Sequence, residues 1–129
     1  MTTFHVLGLP VTQGSKVVMR GRLIDVKSKE LREWRGKIAA MADPHFEQPM
    51  TAAVFVDLTF FLPKPKTVKR MLPFVKPDSD KLTRAVFDAL TGVAYVDDCQ
   101  VTDYAARKRY GDLSNIGVVV TVKEMAEPA

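Results

Sequence analysis

KPDSDKLTRAVFDALTGVAYVDDCQV, residues 76–101, organises the chain. Its middle reads as a helix over 80–91, because Leu82, Val86, Ala89 and Leu90 recur at helical spacing and Gly92 suits the left-handed position that closes a helix. Asp80 suits the N-cap and Asp78 lies just before it, so both face the positive end of the helix. Asp97 and Asp98 follow after a short turn, at the entrance to a strand. A helix of this length is about 16 Å long. If residues 93–96 double back along it, three or four carboxylates converge at its N-terminus.

Strands flank this stretch on both sides. Residues 51–62 (TAAVFVDLTFFL) alternate, with Val54, Val56, Leu58 and Phe60 on one face and Phe55, Asp57, Thr59 and Phe61 on the other. After the motif, 99–110 and 115–124 read as two long strands joined at Gly111-Asp112. Towards the N-terminus, 3–9 is a strand stopped by Pro10, 11–14 a turn, and 16–20 with 22–26 a hairpin around Gly21. Ser28 caps a helix over 29–42 whose apolar face carries Leu31, Trp34, Ile38 and Met41, and Asp43-Pro44 ends it. The predicted fold is α+β: one domain over 1–129, a mixed, mainly antiparallel sheet with two main helices packed on it, and a frayed tail over 126–129.

The composition excludes several classes. The chain has 129 residues, 47% hydrophobic and 26% charged, which is globular rather than disordered or fibrous. One cysteine, Cys99, rules out an internal disulfide and a cysteine zinc cluster, and a reducing cytoplasm fits best. No apolar run is long enough to span a bilayer, and the N-terminus lacks the pattern of a secretory signal. The net charge of +4 is unevenly placed. Residues 63–84 carry seven basic side chains (Lys64, Lys66, Lys69, Arg70, Lys76, Lys81 and Arg84) against Asp78 and Asp80, a local +5 that leaves −1 elsewhere. Arg107, Lys108 and Arg109 form a second cluster. Concentrated positive charge points to a polyanion. The loop over 63–77 holds four prolines and is long enough to suggest a functional or partner-ordered segment.

Clustered carboxylates repel unless a cation holds them, and hard oxygen donors suit Mg²⁺ or Mn²⁺. His5 and His45 are remote in sequence, which disfavours zinc. Acid cluster and basic loop together read as a metal-dependent nuclease. The structural alternative makes Asp80 only a cap and Asp97-Asp98 only a turn. Asp80, Arg84 and Asp88 recur every fourth residue, as an ion-pair ladder or with Arg84 facing a phosphate. Phe87 lies near that side, covered either by a second subunit or by the basic loop. Trp34 and the Phe55–Phe61 group read as core, Cys99 as packing, His5 as structural, Lys16 as a solvated hairpin charge, and Asp57 as an edge-exposed strand residue or an extra ligand.

The same stretch resembles the RusA family of Holliday junction resolvases of phages and prophages. The family pattern, approximately P-D-x-D-N-L-x-K-x-x-x-D-A-L-x-G followed by D-D-x-Q-V, is matched by Pro77-Asp78-Ser79-Asp80-Lys81-Leu82-Thr83-Arg84, then Asp88-Ala89-Leu90, Gly92 and Asp97-Asp98-Cys99-Gln100-Val101. A G-x-P turn at Gly8–Pro10 extends the likeness towards the N-terminus. The resemblance implies a homodimer that cuts four-way DNA junctions with Mg²⁺ or Mn²⁺ in a bacterial host cell. It matches Asp78, Asp80 and Asp98 to the essential acids, and Asp97 and Asp88 to further recurrent ones. Arg84 stands where the family often has a lysine, and Lys81 where asparagine is usual. Arginine does not release a proton at neutral pH, so Arg84 is expected to act by charge, with Lys81 or water protonating the leaving group. The resulting expectation has Asp78, Asp80, Asp97 and Asp98 holding metal, Lys81 and Arg84 assisting catalysis, and Lys64, Lys66, Lys69, Arg70, Lys76, Arg107 and Arg109 contacting DNA.

Overall fold

The computed structural model describes residues 1–14, 16–25 and 28–126. Its main sheet is built from β1 (Thr2–Leu7), β4 (Val54–Pro63), β5 (Val101–Gly111) and β6 (Gly117–Glu124) in the order β1-β6-β4-β5. β6 runs antiparallel to both β1 and β4, while β4 and β5 are parallel. The sheet is therefore mixed and mainly antiparallel, and it carries two helices, α1 (Ser28–Ala42) and α2 (Ser79–Leu90). β2 (Lys16–Met19) and β3 (Arg22–Asp25) form a separate hairpin turned at Arg20 and Gly21, both at positive φ, the tight-turn geometry that matches strand twist. Val26, the last residue of the expected second hairpin strand, lies outside the described residues, as do residues 127–129 of the tail. The side chains of Lys16 and Ser28 are outside them too.

Alternation along β4 decides where the core lies. Val54, Val56, Leu58, Phe60 and Leu62 are buried, and the residues between them are half-buried on the other face. Leu82, Val86, Ala89 and Leu90 of α2 close over the buried face, with Leu31, Trp34 and Ile38 of α1 beside them. On α1 the buried row continues to Ala42 rather than to Met41, which is exposed. At 100° per residue, position 42 returns to the line of 31 and 38, and position 41 falls to its side.

β5 and β6 follow one another in sequence but do not pair, because β4 lies between them. Asp57 is therefore on an interior strand, not an edge. Parallel β4 and β5 must be joined by a crossover, and α2 supplies it. The carboxyl ends of β4 and β5 and the N-terminus of α2 thus come to one end of the molecule. Ligands of open α/β units bind at that kind of place.

Candidate active site

α2 begins at Ser79, one residue before its sequence-expected first turn, so Asp78 takes the N-cap position with extended backbone (φ −72°, ψ 134°). Its carboxylate makes no capping hydrogen bond and lies 3.9 Å from Lys81 Nζ. Asp80 is exposed in the first turn. The approach to the helix is fixed from β5: Lys108 donates to the carbonyls of Val75 (2.7 Å) and Pro77 (2.8 Å).

At the other end of α2, Tyr95 sets the position of the second acid pair. Its ring is fully buried, and its hydroxyl donates to the Phe87 carbonyl at 2.8 Å. Burial, reinforced by the nearby charges of Asp98 and Asp88, holds this hydroxyl far above the usual tyrosine range. The backbone turns at once, with the Gly92 amide donating to the Tyr95 carbonyl at 2.7 Å. Asp97 then caps a short 3-10 turn over Asp98–Gln100 by accepting from the Cys99 amide at 2.9 Å. Gln100 reciprocates by accepting from the Asp97 amide, and its own amide binds the Met50 and Ala52 carbonyls. The bonds that Asp97 accepts from Cys99 hold its carboxyl below the usual range. Asp98 has the opposite environment: desolvation, with Asp97 and Asp88 close by, pushes its carboxyl up.

The expected convergence at the helix N-terminus does not occur, because the turn at Gly92–Tyr95 leaves Asp98 beside Asp88 instead of carrying it back along α2. Eight residues separate Asp80 from Asp88, about 12 Å of helix. Among the described residues, no three His, Cys, Asp or Glu side chains are grouped closely enough to share a metal ion. The donor chemistry fits a hard cation, and Asp98 would be relieved by one, but the spacing within one chain supplies two separate groups.

The ion-pair ladder is absent among the described residues. Asp88 instead accepts from the Gln13 side-chain amide, and Arg35 Nη1 reaches both Gln13 Oε1 (3.1 Å) and Asp88 Oδ2 (3.8 Å). The Gln13 backbone amide also donates to the Lys81 carbonyl at 3.0 Å, so the turn after β1 lies along the polar side of α2. Arg84 passes over Gly14, where a Cβ would meet its Nη1 at 2.6 Å. Gly14 has φ +97°, a second reason for glycine. Phe87 is half-buried, packs against the core and meets the exposed Tyr104 edge-on, with ring centroids 5.2 Å apart.

Among the expected DNA contacts, Lys64, Lys66, Lys69 and Lys76 are all exposed. Arg70 donates to the Tyr110 hydroxyl at 2.7 Å, so it is part of the loop's framework and not a solvated charge. Arg107 forms a two-pronged ion pair with Asp57 (2.8 and 3.0 Å) and also donates to Thr59, so its guanidinium already has partners. That pair holds the Asp57 carboxyl below the usual range. Arg109 is exposed and donates to the adjacent Lys108 carbonyl. Cys99 is exposed, not packed, and Asp97 pushes its thiol up. His5 Nε2 lies 3.1 Å from the Asn115 carbonyl, a structural contact.

Gln13, Arg35 and Tyr95 are residues of the site region that the sequence reading left unassigned, and Lys108, read there only as part of a basic cluster, anchors the approach to α2. Only the Asp97–Gln100 capping box had a local signature, an acid and a glutamine three residues apart.

The family described as Endodeoxyribonuclease RusA matches residues 8–123 of the chain. A protein of Bacillus subtilis (strain 168) named "Uncharacterized protein YqaN" is 31% identical over 137 residues, covering 91% of this chain and 93% of that protein.

Proposed function

The chain belongs to the RusA endodeoxyribonuclease family, and from that premise we propose that it is a Mg²⁺- or Mn²⁺-dependent nuclease that resolves four-way DNA junctions as a homodimer. The observation that carries this reading is Asp78, which occupies the N-cap of α2 without capping it and so keeps its carboxylate for another partner. Asp80 beside it and Asp98 at the entrance to β5 complete the set of acids, with Asp97 holding the turn that presents Asp98. Because Asp98 stands beside Asp88, some 12 Å of helix from Asp80, we place the full ligand set across the dimer two-fold. One copy gives Asp78 and Asp80, and the other gives Asp98.

When bound, the cation would supply an activated water at neutral pH and neutralise charge on a phosphate. Lys81 and Arg84 face the developing negative charge. Arg84 stays protonated, so the proton for the leaving oxygen comes from Lys81 or water. Lys64, Lys66, Lys69, Lys76 and Arg109 follow the phosphate backbone, with Arg70 positioned by Tyr110 and Arg107 by its pair with Asp57. A two-fold pair of sites would cut opposed strands symmetrically. No helix among the described residues is long and apolar enough to cross a membrane, and the proposed place of action is the cytoplasm of a bacterial host, from a phage or prophage gene.

The test is a cleavage assay on intact four-way, forked and linear DNA, with and without Mg²⁺. Metal-dependent cutting confined to the four-way junction is the expected result. Cutting of forks at an equal rate would make the enzyme a broader branched-DNA nuclease, and binding without cutting would make it a binding module.

A further inference from the structure

A cleft of about 540 Å³ opens at the carboxyl ends of β4 and β5, between the turn after β1 and the basic loop. Its volume lies within the roughly 300–1,000 Å³ typical of small-ligand sites. Pro10, Val11, Pro73 and Pro77 form apolar walls, and Tyr110 contributes an aromatic ring held by the Arg70–hydroxyl bond. Arg70, Lys76 and Lys81 stand against a single acid, Asp78, so a mostly apolar lining carries net positive charge. Asp78 and Lys81 belong at once to this cleft and to the acid site.

We infer that the cleft takes one unstacked nucleotide of the DNA substrate, with its base against the apolar walls and its phosphate at Lys81 beside Asp78. The inference rests on the nuclease reading and names how that site takes its substrate. Charge complementarity selects the occupant: a flat apolar ring joined to an anion matches a mostly apolar lining that carries net positive charge. A phosphate brought to Asp78 carries its own base to the cleft, because the same residues border both. A strand-exchange point is where stacking is already interrupted, which lowers the cost of moving a base out of the duplex. Base–aromatic contact tolerates any sequence, so the cleft would set where the strand is held rather than which base is read.

Leu9 permits the test, since it lines the cleft while its side chain is largely exposed, 62%. Leu9→Trp fills the cleft from its rim, and Leu9→Ala leaves it open; thermal melting checks that both fold. Single-turnover cleavage in Mg²⁺ is measured on four-way junctions in which one nucleotide at a time, around the cut phosphate, is made abasic. Removing the housed base should slow the wild-type protein and Leu9→Ala about tenfold at one position. The same substrate should slow Leu9→Trp less than about twofold, because in that protein the base is already shut out. Equal losses in all three proteins at every position overturn the cleft assignment while leaving a junction-cutting nuclease. Failure of the wild-type protein to cut the intact junction removes the nuclease reading, and the cleft assignment with it.

Discussion

The two ends of α2 use the same side chain in opposite ways. At the N-terminal end, Asp78 sits where a carboxylate ordinarily caps a helix and does not cap it. At the far end, Asp97 caps a 3-10 turn with a full reciprocal bond from Gln100, and Asp98 next to it is left among like charges. A carboxylate that completes backbone hydrogen bonds is stabilised as an anion without a cation. One that is desolvated beside other acids gains from a cation. Neighbours one residue apart thus take separate tasks, architecture for Asp97 and, on the proposed reading, ligation for Asp98.

Single changes should expose that division. Asp78→Asn, Asp80→Asn and Asp98→Asn are each expected to reduce cleavage by at least about 10²–10³-fold while junction binding persists, since asparagine keeps size and loses charge. Asp97→Asn should fall well short of that loss, because asparagine caps nearly as well as aspartate. Equal losses for Asp97→Asn and Asp98→Asn would erase the distinction. Mixing the inactive Asp78→Asn and Asp98→Asn proteins sharpens it. A site shared across the two-fold regains one intact set in the mixed dimer and therefore nicks, whereas sites confined to one chain stay silent.

Arg84 comes next in size. It lies between the two ends and over Gly14, without the ladder partners its spacing suggested. Arg84→Ala should lower single-turnover cleavage by about 10²–10³-fold, and Arg84→Lys should retain much of it. Normal cleavage in folded Arg84→Ala protein would remove Arg84 from the chemistry.

The basic loop belongs to the N-terminal end alone. Replacing Lys64, Lys66 and Lys69 with Ala should weaken DNA binding and flatten its salt dependence by up to roughly one unit of log–log slope for each phosphate no longer neutralised. An unchanged slope would put the DNA surface elsewhere. Arg70→Ala alone should also lower the melting temperature, because it breaks the bond to Tyr110.

Asp57 is the reference case of an acid that already has its cation. Asp57→Asn should leave cleavage intact and cost on the order of 1 kcal/mol at neutral pH, since solvent screens a partly exposed charged hydrogen bond. Arg107 lowers the Asp57 carboxyl from its ordinary 3.8, so the pair stabilises the fold above that pH. The contribution is lost as pH falls through the lowered value, and the melting curves of variant and wild type should therefore approach each other below about pH 4.

Local pattern made much of this legible. The faces of β4 and α2 follow from periods of two and 3.6, and both acid pairs stand at element boundaries, as expected. Strand neighbours were less legible, since a turn between consecutive long strands does not state that β4 lies between them. The placement of Asp98 depends on Tyr95 reaching back to Phe87, a bond between a buried ring and a helix end that has no sequence periodicity. Gln13, Arg35 and Asp88 meet from three separate segments, which only tertiary packing can bring together.

The pairing of β1 with β6 has a consequence for biosynthesis. Phe4 lies opposite Val120, so β1 leaves the ribosome well before the strand it pairs with. At about 5–20 residues per second, that delay amounts to several seconds of synthesis. The cleft has the same dependence, since its walls come from residues 9–12 and from Tyr110. A nascent chain that stops short of Tyr110 therefore carries α2 with its acids but not the finished cleft, so the cleft forms only once β5 has been made.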